Sequence, residues 1–405
     1  MSSPVAKPAQ NYLAELDGLR GISVLLVVLG HFGLGYIIPS GLGVTVFFFI
    51  SGFIITRMMI QESAQHGSIA LRAFYLRRFF RLAPALLVFV LASNLLIASF
   101  GRSLPLGDNL ASIFYLANYR HLFGDWGGMS AENVYNPLTV LWSLAVEEHF
   151  YIFYPLLFVF LHAQRLRLLA ALVVLVVLVM VWRSYLAMDY LGQSGFIDNS
   201  RTYKATDTRI DSILYGCLLS VLLASQQVSV RLREILRRLS GSTALCIGLA
   251  LLLASLVIRN VLFREGIRYS VQGLALLLIF AAIFWGQSGL AQRIKVWLST
   301  RWLVFIGRIS YSLYLYHWLV FVALVEWFPR PEIGVLLRTA SSPLDVVASL
   351  ASLAAIQLAI GLPLSILLAY ASWRWVEQPL RRVGHDWAQR LANRDRLKGR
   401  APSSS

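Results

Sequence analysis

Long apolar stretches, separated by short polar segments, run through almost the whole chain. Ten of them are long enough to cross roughly 30 Å of hydrocarbon as helices: about 20–38, 42–60, 82–100, 139–161, 168–188, 210–225, 243–259, 269–286, 302–328 and 346–373. Of the 405 residues, 58% are hydrophobic and only 14% are charged, whereas a soluble domain carries about 25% charged residues. The pattern predicts an all-α integral membrane protein with ten transmembrane helices, of which the sixth has the weakest signal.

The positions of lysine and arginine predict the orientation in the membrane. Because ten is an even number, both termini lie on the same side. Most of the 36 Lys and Arg residues fall in the termini and in the loops on that side, and basic residues concentrate in cytoplasmic loops. We therefore expect both termini to be cytoplasmic. Since this placement accounts for the net charge of +16, no nucleic-acid partner is expected.

The composition predicts one transmembrane domain, residues 1–383, followed by a basic, disordered cytoplasmic tail, residues 384–405. No apolar core precedes the first stretch, so we expect no cleaved signal peptide. Cys217 and Cys246 both lie inside apolar runs. This placement favours small core residues over a disulfide or a thiolate metal site, and no metal is expected.

Arg20 and His31 interrupt one of the most apolar stretches, LDGLRGISVLLVVLGHF. Eleven helical steps separate them, so both side chains share one helix face, with Cα atoms roughly 16 Å apart. A cation and a titratable base in a membrane helix cost several kcal/mol unless something uses or pairs them. Asp17 lies one turn before Arg20, which indicates either an ion pair that anchors the helix end or a third member of a functional site.

Ser51 and Gly52 interrupt an aromatic run, FFFISGFIIT, near the middle of the second stretch. A pair of small residues is typical of tight helix packing, and this is the favoured interpretation. The alternative is that the pair leaves room for the thin arm of a ligand.

A dense group of arginines precedes the third stretch in the segment FYLRRFFRLAP. Arg78 and Arg81 are one helical turn apart and are interleaved with aromatic residues. Such a patch suits a phosphorylated, purine-bearing ligand by charge and by stacking. Anionic lipid headgroups would suit it equally, so membrane lipid is the alternative partner.

Two adjacent carboxylates, Glu147 and Glu148, lie one to two turns into the fourth stretch, LWSLAVEEHFYIFYPLL. Adjacent helical residues point about 100° apart, so the two have different roles. Glu147 continues the helix face of Ser143 and Tyr151. At least one of the two needs a cation or a proton to be tolerated there.

Two further polar groups are candidates for substrate binding. The segment TDTRIDS holds Asp207, Arg209 and Asp211 at the outer entrance to the sixth stretch, where a solvated surface cluster is the simpler interpretation. In the ninth stretch, ISYSLYLYHW, three- and four-residue steps predict a polar stripe formed by Ser310, Tyr314 and His317.

In their order along the chain, these segments resemble membrane acyltransferase family 3, a bacterial group of ten-helix O-acyltransferases. The resemblance covers about residues 12–383 and includes WVEQPLRR near the C-terminus. It implies an acyl-CoA donor, usually acetyl-CoA, as co-substrate. It also implies an extracytoplasmic acceptor hydroxyl on a glycan or lipid-linked glycan, such as lipopolysaccharide O-antigen or an exopolysaccharide, and a place in the bacterial inner membrane. The length predicts no fused SGNH-hydrolase domain.

The resemblance also assigns roles to individual residues. Arg20 and His31 match the essential pair of the family, Arg78 and Arg81 match its arginine motif, and Glu147 or Glu148 matches its glutamate motif. A sugar hydroxyl is a poor nucleophile, so the reaction needs a base, and His31 fits that role. The hypothesis is that the CoA phosphates dock on Arg78, Arg81 and Arg20, and that the pantetheine arm passes between helices towards His31. One of the two glutamates would then hold the His31 imidazole or balance an arginine.

Three alternatives stay open. The acyl group could pass through a covalent intermediate on His31 or on a hydroxyl such as that of Ser310. The acceptor could be a small molecule, because acceptor choice belongs to the outer loops at 101–138, 189–208 and 329–345. A proton-coupled transporter could also use histidine, glutamate and arginine within the membrane, although the sequence shows no pair of matching halves.

Overall fold

The chain folds into helices joined by short connections. The structure is a computed structural model that describes residues 13–123, 136–194, 199–225, 230, 240–285, 289–328 and 354–398. Within these ranges there is no strand. The all-α class predicted from the apolar stretches is therefore confirmed.

The helices number seventeen in the described ranges. They are α1 Ala14–Leu29, α2 Ser40–His66, α3 Leu71–Ser99, α4 Leu106–Ile113, α5 Ala117–Phe123, α6 Trp142–Leu161, α7 Arg165–Ser194, α8 Asn199–Lys204, α9 Thr206–Arg209, α10 Asp211–Ala224, α11 Ser240–Val257, α12 Arg268–Trp285, α13 Gly289–Leu298, α14 Arg301–Arg308, α15 Ser310–Trp327, α16 Leu362–Ser372 and α17 Gln378–Lys398. Wider helical turns extend α1 at Gly30–Leu34, precede α12 at Phe263–Ile267 and flank α16 at Gln357–Gly361 and Trp373–Glu377.

Seven helical segments of the described chain are long and apolar enough to cross a membrane, or eight if the bent pair α14 and α15 is one span. Two shorter apolar helices, Asp211–Ala224 and Ser242–Val257, complete the set. These ten segments correspond one to one to the predicted stretches, although residues 346–353 lie outside the described ranges. The chain is a multi-pass membrane protein; the count of ten spans and the cytoplasmic termini stay predictions.

Two irregularities in the helices shape the site. The axes of α14 and α15 meet at 72°, so Ser310 begins a new helix directly after the bend at Ile309. At the end of α1, the backbone leaves regular helix geometry at Phe32 and at Gly33, whose φ of 92° is in the left-handed region that favours glycine. This wide turn carries His31.

Gly52 lies at a close crossing of α2 and α10. A Cβ at Gly52 would approach the carbonyl oxygen of Ile213 to 2.0 Å, and one at Gly216 would approach that of Phe49 to 1.9 Å. The two glycines therefore let the backbones meet, as small residues do in membrane helix pairs. Gly52 does not line the cavity described below. The assignment of Gly52 as a cofactor-binding residue is therefore wrong, and the packing interpretation is right.

We expect Gly52→Ala to destabilise the protein by about 1–3 kcal/mol, because the added methyl group meets a backbone atom that cannot rotate away. Gly192→Ala is the matched control, since a Cβ there has no heavy atom within 4 Å. Thermal unfolding in detergent measures both variants. Equal melting temperatures for the two would contradict the assignment of Gly52 to the helix crossing.

The C-terminal tail is folded further than the sequence predicts. Helix α17 continues to Lys398, where a disordered tail was expected from residue 384; that expectation is wrong for residues 384–398. Ala388 and Ala392, one turn apart, pack against Ala73 of α3, and the Trp387 ring lies 5.5 Å from that of Phe80. Small residues at this spacing let the two helices approach closely. Residues 399–405 lie outside the described ranges.

The two cysteines are free, as expected, but only one lies in the core. Cys217 is buried, whereas Cys246 is exposed on the surface of α11. An apolar run in a membrane protein can face lipid as well as the protein core, and for that reason the sequence does not separate the two positions.

Candidate active site

Helices α1, α2, α3, α6 and α15 enclose a cavity of about 730 Å³, a volume that includes its open mouth. Apolar side chains such as Phe47, Phe48, Leu82 and Leu144 form part of its wall. The polar lining comes from separate parts of the chain and consists of Arg20, Ser51, Arg78, Arg81, Ser143, Glu147, Tyr151, Ser310, Tyr311 and Tyr314. Among the predicted site residues, the cavity thus unites seven: three arginines, Glu147, Ser51, Ser310 and Tyr314.

Helix α6 runs along the cavity, and three of its polar residues lie at successive positions along the cavity wall. Ser143, Glu147 and Tyr151 are spaced four residues apart and share one face, as the sequence predicts, and together they cover about 12 Å of the helix axis. All three line the cavity. The contacts of Tyr151, Glu147 and Ser143 therefore describe one end, the middle and the other end of the cavity in turn.

The Tyr151 end of the cavity is cationic. Arg78 is buried, and its guanidinium lies 4.5 Å from the ring centre of Tyr151 and 5.7 Å from that of Phe74. Arg81 and Arg20 line the same cavity. Three arginines and one glutamate give this lining an excess of positive charge, and a low-dielectric wall strengthens its attraction for anions.

Glu147 and Glu148 have different surroundings. The Glu147 carboxylate accepts hydrogen bonds from Ser51 Oγ at 2.9 Å and from the Tyr151 hydroxyl at 3.3 Å. Glu148 does not line the cavity, and its Oε1 has no hydrogen-bond partner among the described residues. The sequence predicts different roles for the two carboxylates without choosing between them for the site, and the geometry assigns Glu147 to the cavity.

The Ser143 end of the cavity is neutral and hydrogen-bonded. The Tyr314 hydroxyl donates to the Val140 carbonyl at 3.1 Å and so accepts from Ser143 Oγ at 2.6 Å. The buried hydroxyl of Ser310 has no partner in the described chain. A buried hydroxyl without a partner on a cavity wall is able to bind a polar group of a ligand.

His31 lies beyond this end of the cavity and contacts another histidine. Its Nδ1 is 2.9 Å from Nε2 of His317, and its ring meets Trp318 edge to face. The ring of His317 is 5.6 Å from that of Tyr314, one turn earlier in α15. Neither glutamate is among the contacts of His31 in the described residues. Of the two alternatives for these glutamates, this leaves the balancing of an arginine charge, and Glu147 lines the same cavity as three arginines.

The three members of the predicted outer cluster have different partners in the structure. Asp207 binds Arg201 and accepts a hydrogen bond from Trp182 Nε1 at 2.8 Å. Partial burial raises the pKa of Asp207, but these hydrogen bonds outweigh burial and hold that pKa below its usual range. The side chain is 39% exposed, which agrees with the interpretation as a solvated group.

Arg209 and Asp211 are fully buried, so the surface interpretation is wrong for them. Arg209 donates to Thr45 Oγ1 at 3.1 Å and lies over the ring of Tyr269 at 3.7 Å. Asp211 pairs with Arg183, whose Nη1 is 2.9 Å from both carboxylate oxygens. Neither residue lines the cavity, although the Arg209 guanidinium lies 5.7 Å from the ring centre of Phe48, a residue of the cavity wall. This placement argues against direct binding of substrate by Arg209 or Asp211.

Asp17 lies at the start of the same helix as Arg20 and forms an ion pair with Arg308 of α14. Asp17 Oδ2 is 4.0 Å from Arg308 Nε. This contact joins α1 to α14 and supports the anchoring interpretation. Asp17 does not line the cavity.

Sequence reasoning missed two kinds of residue. Tyr151 and Tyr311 line the cavity, but aromatic residues are so common in membrane helices that neither one stands out. Arg183 is a buried cation within the predicted stretch 168–188, and an arginine at such a position is a signal that could have been used.

Known proteins resemble this chain over the part that contains the whole candidate site. A family model described as an acyltransferase domain, of acyltransferase family 3, matches residues 13–374. That range contains all the residues that line the cavity, together with His31 and His317. No solved structure matches the chain.

Three curated relatives cover most of this chain. A putative O-acetyltransferase of Staphylococcus aureus strain COL is 30% identical over 92% of this chain and 58% of its own length. The putative peptidoglycan O-acetyltransferase YrhL of Bacillus subtilis is 30% identical over 80% of this chain and 50% of its own length. The O-acetyltransferase OatA of Staphylococcus aureus strain NCTC 8325 is 29% identical over 92% and 58%. The chain thus spans little more than half the length of these relatives. The match over residues 13–374, with the cavity inside it, shows that the chain belongs to acyltransferase family 3.

Proposed function

We propose that this protein is a membrane O-acyltransferase that moves an acyl group from acyl-CoA to a hydroxyl of an extracytoplasmic glycan, with His31 as the general base. One observation carries the proposal. An arginine-lined cavity extends to Tyr314, which touches the His317 ring, and His317 in turn contacts His31. Family membership supports the acyltransferase class.

The cavity suits acetyl-CoA as the donor. CoA is a polyanion with a long, thin thiol arm, and arginine binds phosphate oxygens with paired, charge-assisted hydrogen bonds. Arg20, Arg78 and Arg81 supply that charge at one end, and Ser310 offers an unused hydroxyl along the wall. The roughly 12 Å covered by the cavity face of α6 allows the arm to approach the histidines.

For the acceptor, the relatives favour a glycan. YrhL is named for peptidoglycan, and OatA is named as an O-acetyltransferase. We therefore propose a sugar hydroxyl of a cell-envelope glycan, with peptidoglycan as the first acceptor to test, ahead of lipopolysaccharide and exopolysaccharide. By this proposal the protein lies in the bacterial cytoplasmic membrane.

A single base is sufficient for the proposed reaction, because the proton that it takes from the acceptor hydroxyl is later given to the leaving thiolate. The acceptor oxygen attacks the thioester carbonyl while its proton moves to the unprotonated ring nitrogen of His31, so that a C–O bond forms and the C–S bond then breaks. The same proton passes to the leaving CoA sulfur. A positioned base contributes about 10² to 10⁴ in rate. Glu147 balances the arginine charge in this scheme and holds Ser51 and Tyr151 in place.

We expect Arg81→Gln to weaken acetyl-CoA binding by about 10- to 100-fold, since one charge-assisted hydrogen bond to an anion is worth about 1.5–3 kcal/mol. Equilibrium binding of labelled acetyl-CoA to purified protein in nanodiscs measures this without any acceptor.

The matched control is Arg77→Gln. Arg77 belongs to the same basic segment but pairs with Glu62 at 3.5 Å and does not line the cavity. Its substitution should leave the affinity unchanged. Equal weakening by both substitutions would show only a general effect of positive charge, and no binding of acetyl-CoA to the wild-type protein would reject the donor proposal itself.

A further inference from the structure

The two histidines are joined by an in-plane hydrogen bond. Their rings are within 5° of parallel, and the ring centres are 5.2 Å apart. The His31 Nδ1 to His317 Nε2 distance is 2.9 Å, and this distance plus the two ring radii accounts for the separation of the centres. The rings therefore lie side by side with one nitrogen facing the other, which is the geometry of an N–H···N bond.

The backbone of α15 determines which nitrogen of His317 carries a proton. His317 Nδ1 is 3.1 Å from the Leu313 carbonyl oxygen. A carbonyl oxygen only accepts, so Nδ1 of His317 is protonated. In a neutral imidazole the other nitrogen is then an acceptor, and Nε2 of His317 faces His31 with its lone pair.

Burial favours the neutral form of His317. The residue is 0% exposed, and among the described residues it contacts the Leu313 carbonyl, His31 and the rings of Tyr314, Phe32 and Trp318. No carboxylate is among these contacts in the described residues. A buried charge without a partner is disfavoured, so His317 is neutral before the reaction.

The hydrogen bonds from the Leu313 carbonyl through His317 to His31 determine which nitrogen of His31 carries a proton. We infer that His317 is a positioning residue that holds the proton of His31 on Nδ1 and leaves Nε2 of His31 unprotonated as the base. The inference rests on the proposed function and deepens it, because it names the reacting atom. Trp318 supports the arrangement from the other side, since its indole N–H donates to the Asn136 carbonyl at 3.1 Å and fixes the ring against His31.

The assignment has a consequence for the reaction. When Nε2 of His31 takes the proton of the acceptor hydroxyl, the ring becomes an imidazolium whose Nδ1–H already points at the lone pair of His317. The developing charge is therefore met by an oriented acceptor, and no proton has to leave Nδ1. Without His317, either nitrogen of His31 can carry the proton, and the fraction with a free Nε2 falls.

Two substitutions separate this role from a packing role. Gln at position 317 can present its amide oxygen near the position of Nε2, whereas Leu fills similar space without an acceptor. We expect His317→Leu to lower kcat by roughly 10²-fold or more with an unchanged KM for acetyl-CoA. His317→Gln should recover most of that loss. If the Gln and Leu variants were equally impaired while folded, the positioning role would be rejected.

The direct test needs no substrate. Nitrogen-15 NMR of histidine-labelled protein in lipid distinguishes protonated from unprotonated ring nitrogens, and a His31→Phe variant identifies the signals of His31. We expect Nδ1 of His31 to be protonated and Nε2 to be unprotonated in the wild type. Protonation at Nε2 instead would overturn the inference. If the expected tautomer is found but acetyl-CoA neither binds nor donates its acyl group, the proton assignment stands and the proposed function fails.

Discussion

We expect the replacement of His31 by alanine to lower acyl transfer by about 10² to 10⁴, the range that a positioned general base contributes, while acetyl-CoA binding stays within a few-fold of wild type. Binding is preserved because His31 does not line the arginine-rich cavity. Labelled acetyl transfer to soluble peptidoglycan fragments, measured beside donor binding in nanodiscs, gives both values.

His162→Ala is the matched control for this experiment. His162 Nδ1 donates to the Val159 carbonyl at 2.8 Å, directly after the last residue of α6, and His162 does not line the cavity. It should keep wild-type transfer. If His31→Ala kept full transfer, the general-base assignment would be abandoned. If it accumulated a labelled acyl group on the protein, the covalent alternative would replace direct attack.

We expect Asp211→Leu to destabilise the fold by about 3–5 kcal/mol, because it leaves Arg183 as a buried and unpaired cation. Both side chains are fully buried, and the guanidinium also donates to the Gly266 carbonyl at 2.7 Å and to Ser270 Oγ at 2.8 Å. The change in the free energy of unfolding is measured by denaturant titration in mixed micelles.

The double variant Arg183→Met with Asp211→Leu tests the reason for this loss. Replacing both members of a buried ion pair by apolar residues is often neutral, so the double variant should regain most of the lost stability. A double variant as unstable as the single one would show that the loss comes from packing and not from the unpaired charge. Donor binding by the folded double variant should match wild type, since neither residue lines the cavity.

The sequence predicts the helices well because the membrane imposes a simple rule on them. Each span needs a long apolar run, and each of the ten predicted stretches contains a helix of the structure. The prediction of which residues share a helix face also holds where all of those residues lie on a single helix. Ser143, Glu147 and Tyr151 share the cavity face because their spacing is fixed by helix geometry alone.

Contacts between distant segments are what the sequence does not determine. His31 and His317, which contact each other, are 286 residues apart in the chain. Ser51, whose hydroxyl donates to Glu147, is 96 residues from it. Arg209 and Asp211 look like a surface cluster in the sequence, because their partners on α2, α7 and α12 are far away along the chain. Gly52 shows the same difficulty, since a small residue that admits a helix and one that admits a ligand have the same local pattern.

The acceptor side of the site stays a prediction. We expect acceptor choice to lie in the outer loops, of which residues 124–135, 195–198 and 329–345 lie outside the described ranges. The described part of these loops holds an internal hydrogen-bonded network around the buried Asp108, which binds Arg120 at 3.0 Å and Asn136 at 3.1 Å. That network joins α4, α5 and Asn136, the residue before the turn that leads into α6.

Transfer across a sealed membrane tests the central claim most directly. Proteoliposomes that enclose labelled acetyl-CoA are mixed with soluble peptidoglycan fragments outside, and a second set receives donor and acceptor both on the outside. The account predicts labelled acceptor only when donor and acceptor are on opposite sides, and no label with His31→Ala. Transfer that requires both on the same side, or no transfer in either arrangement, would contradict it.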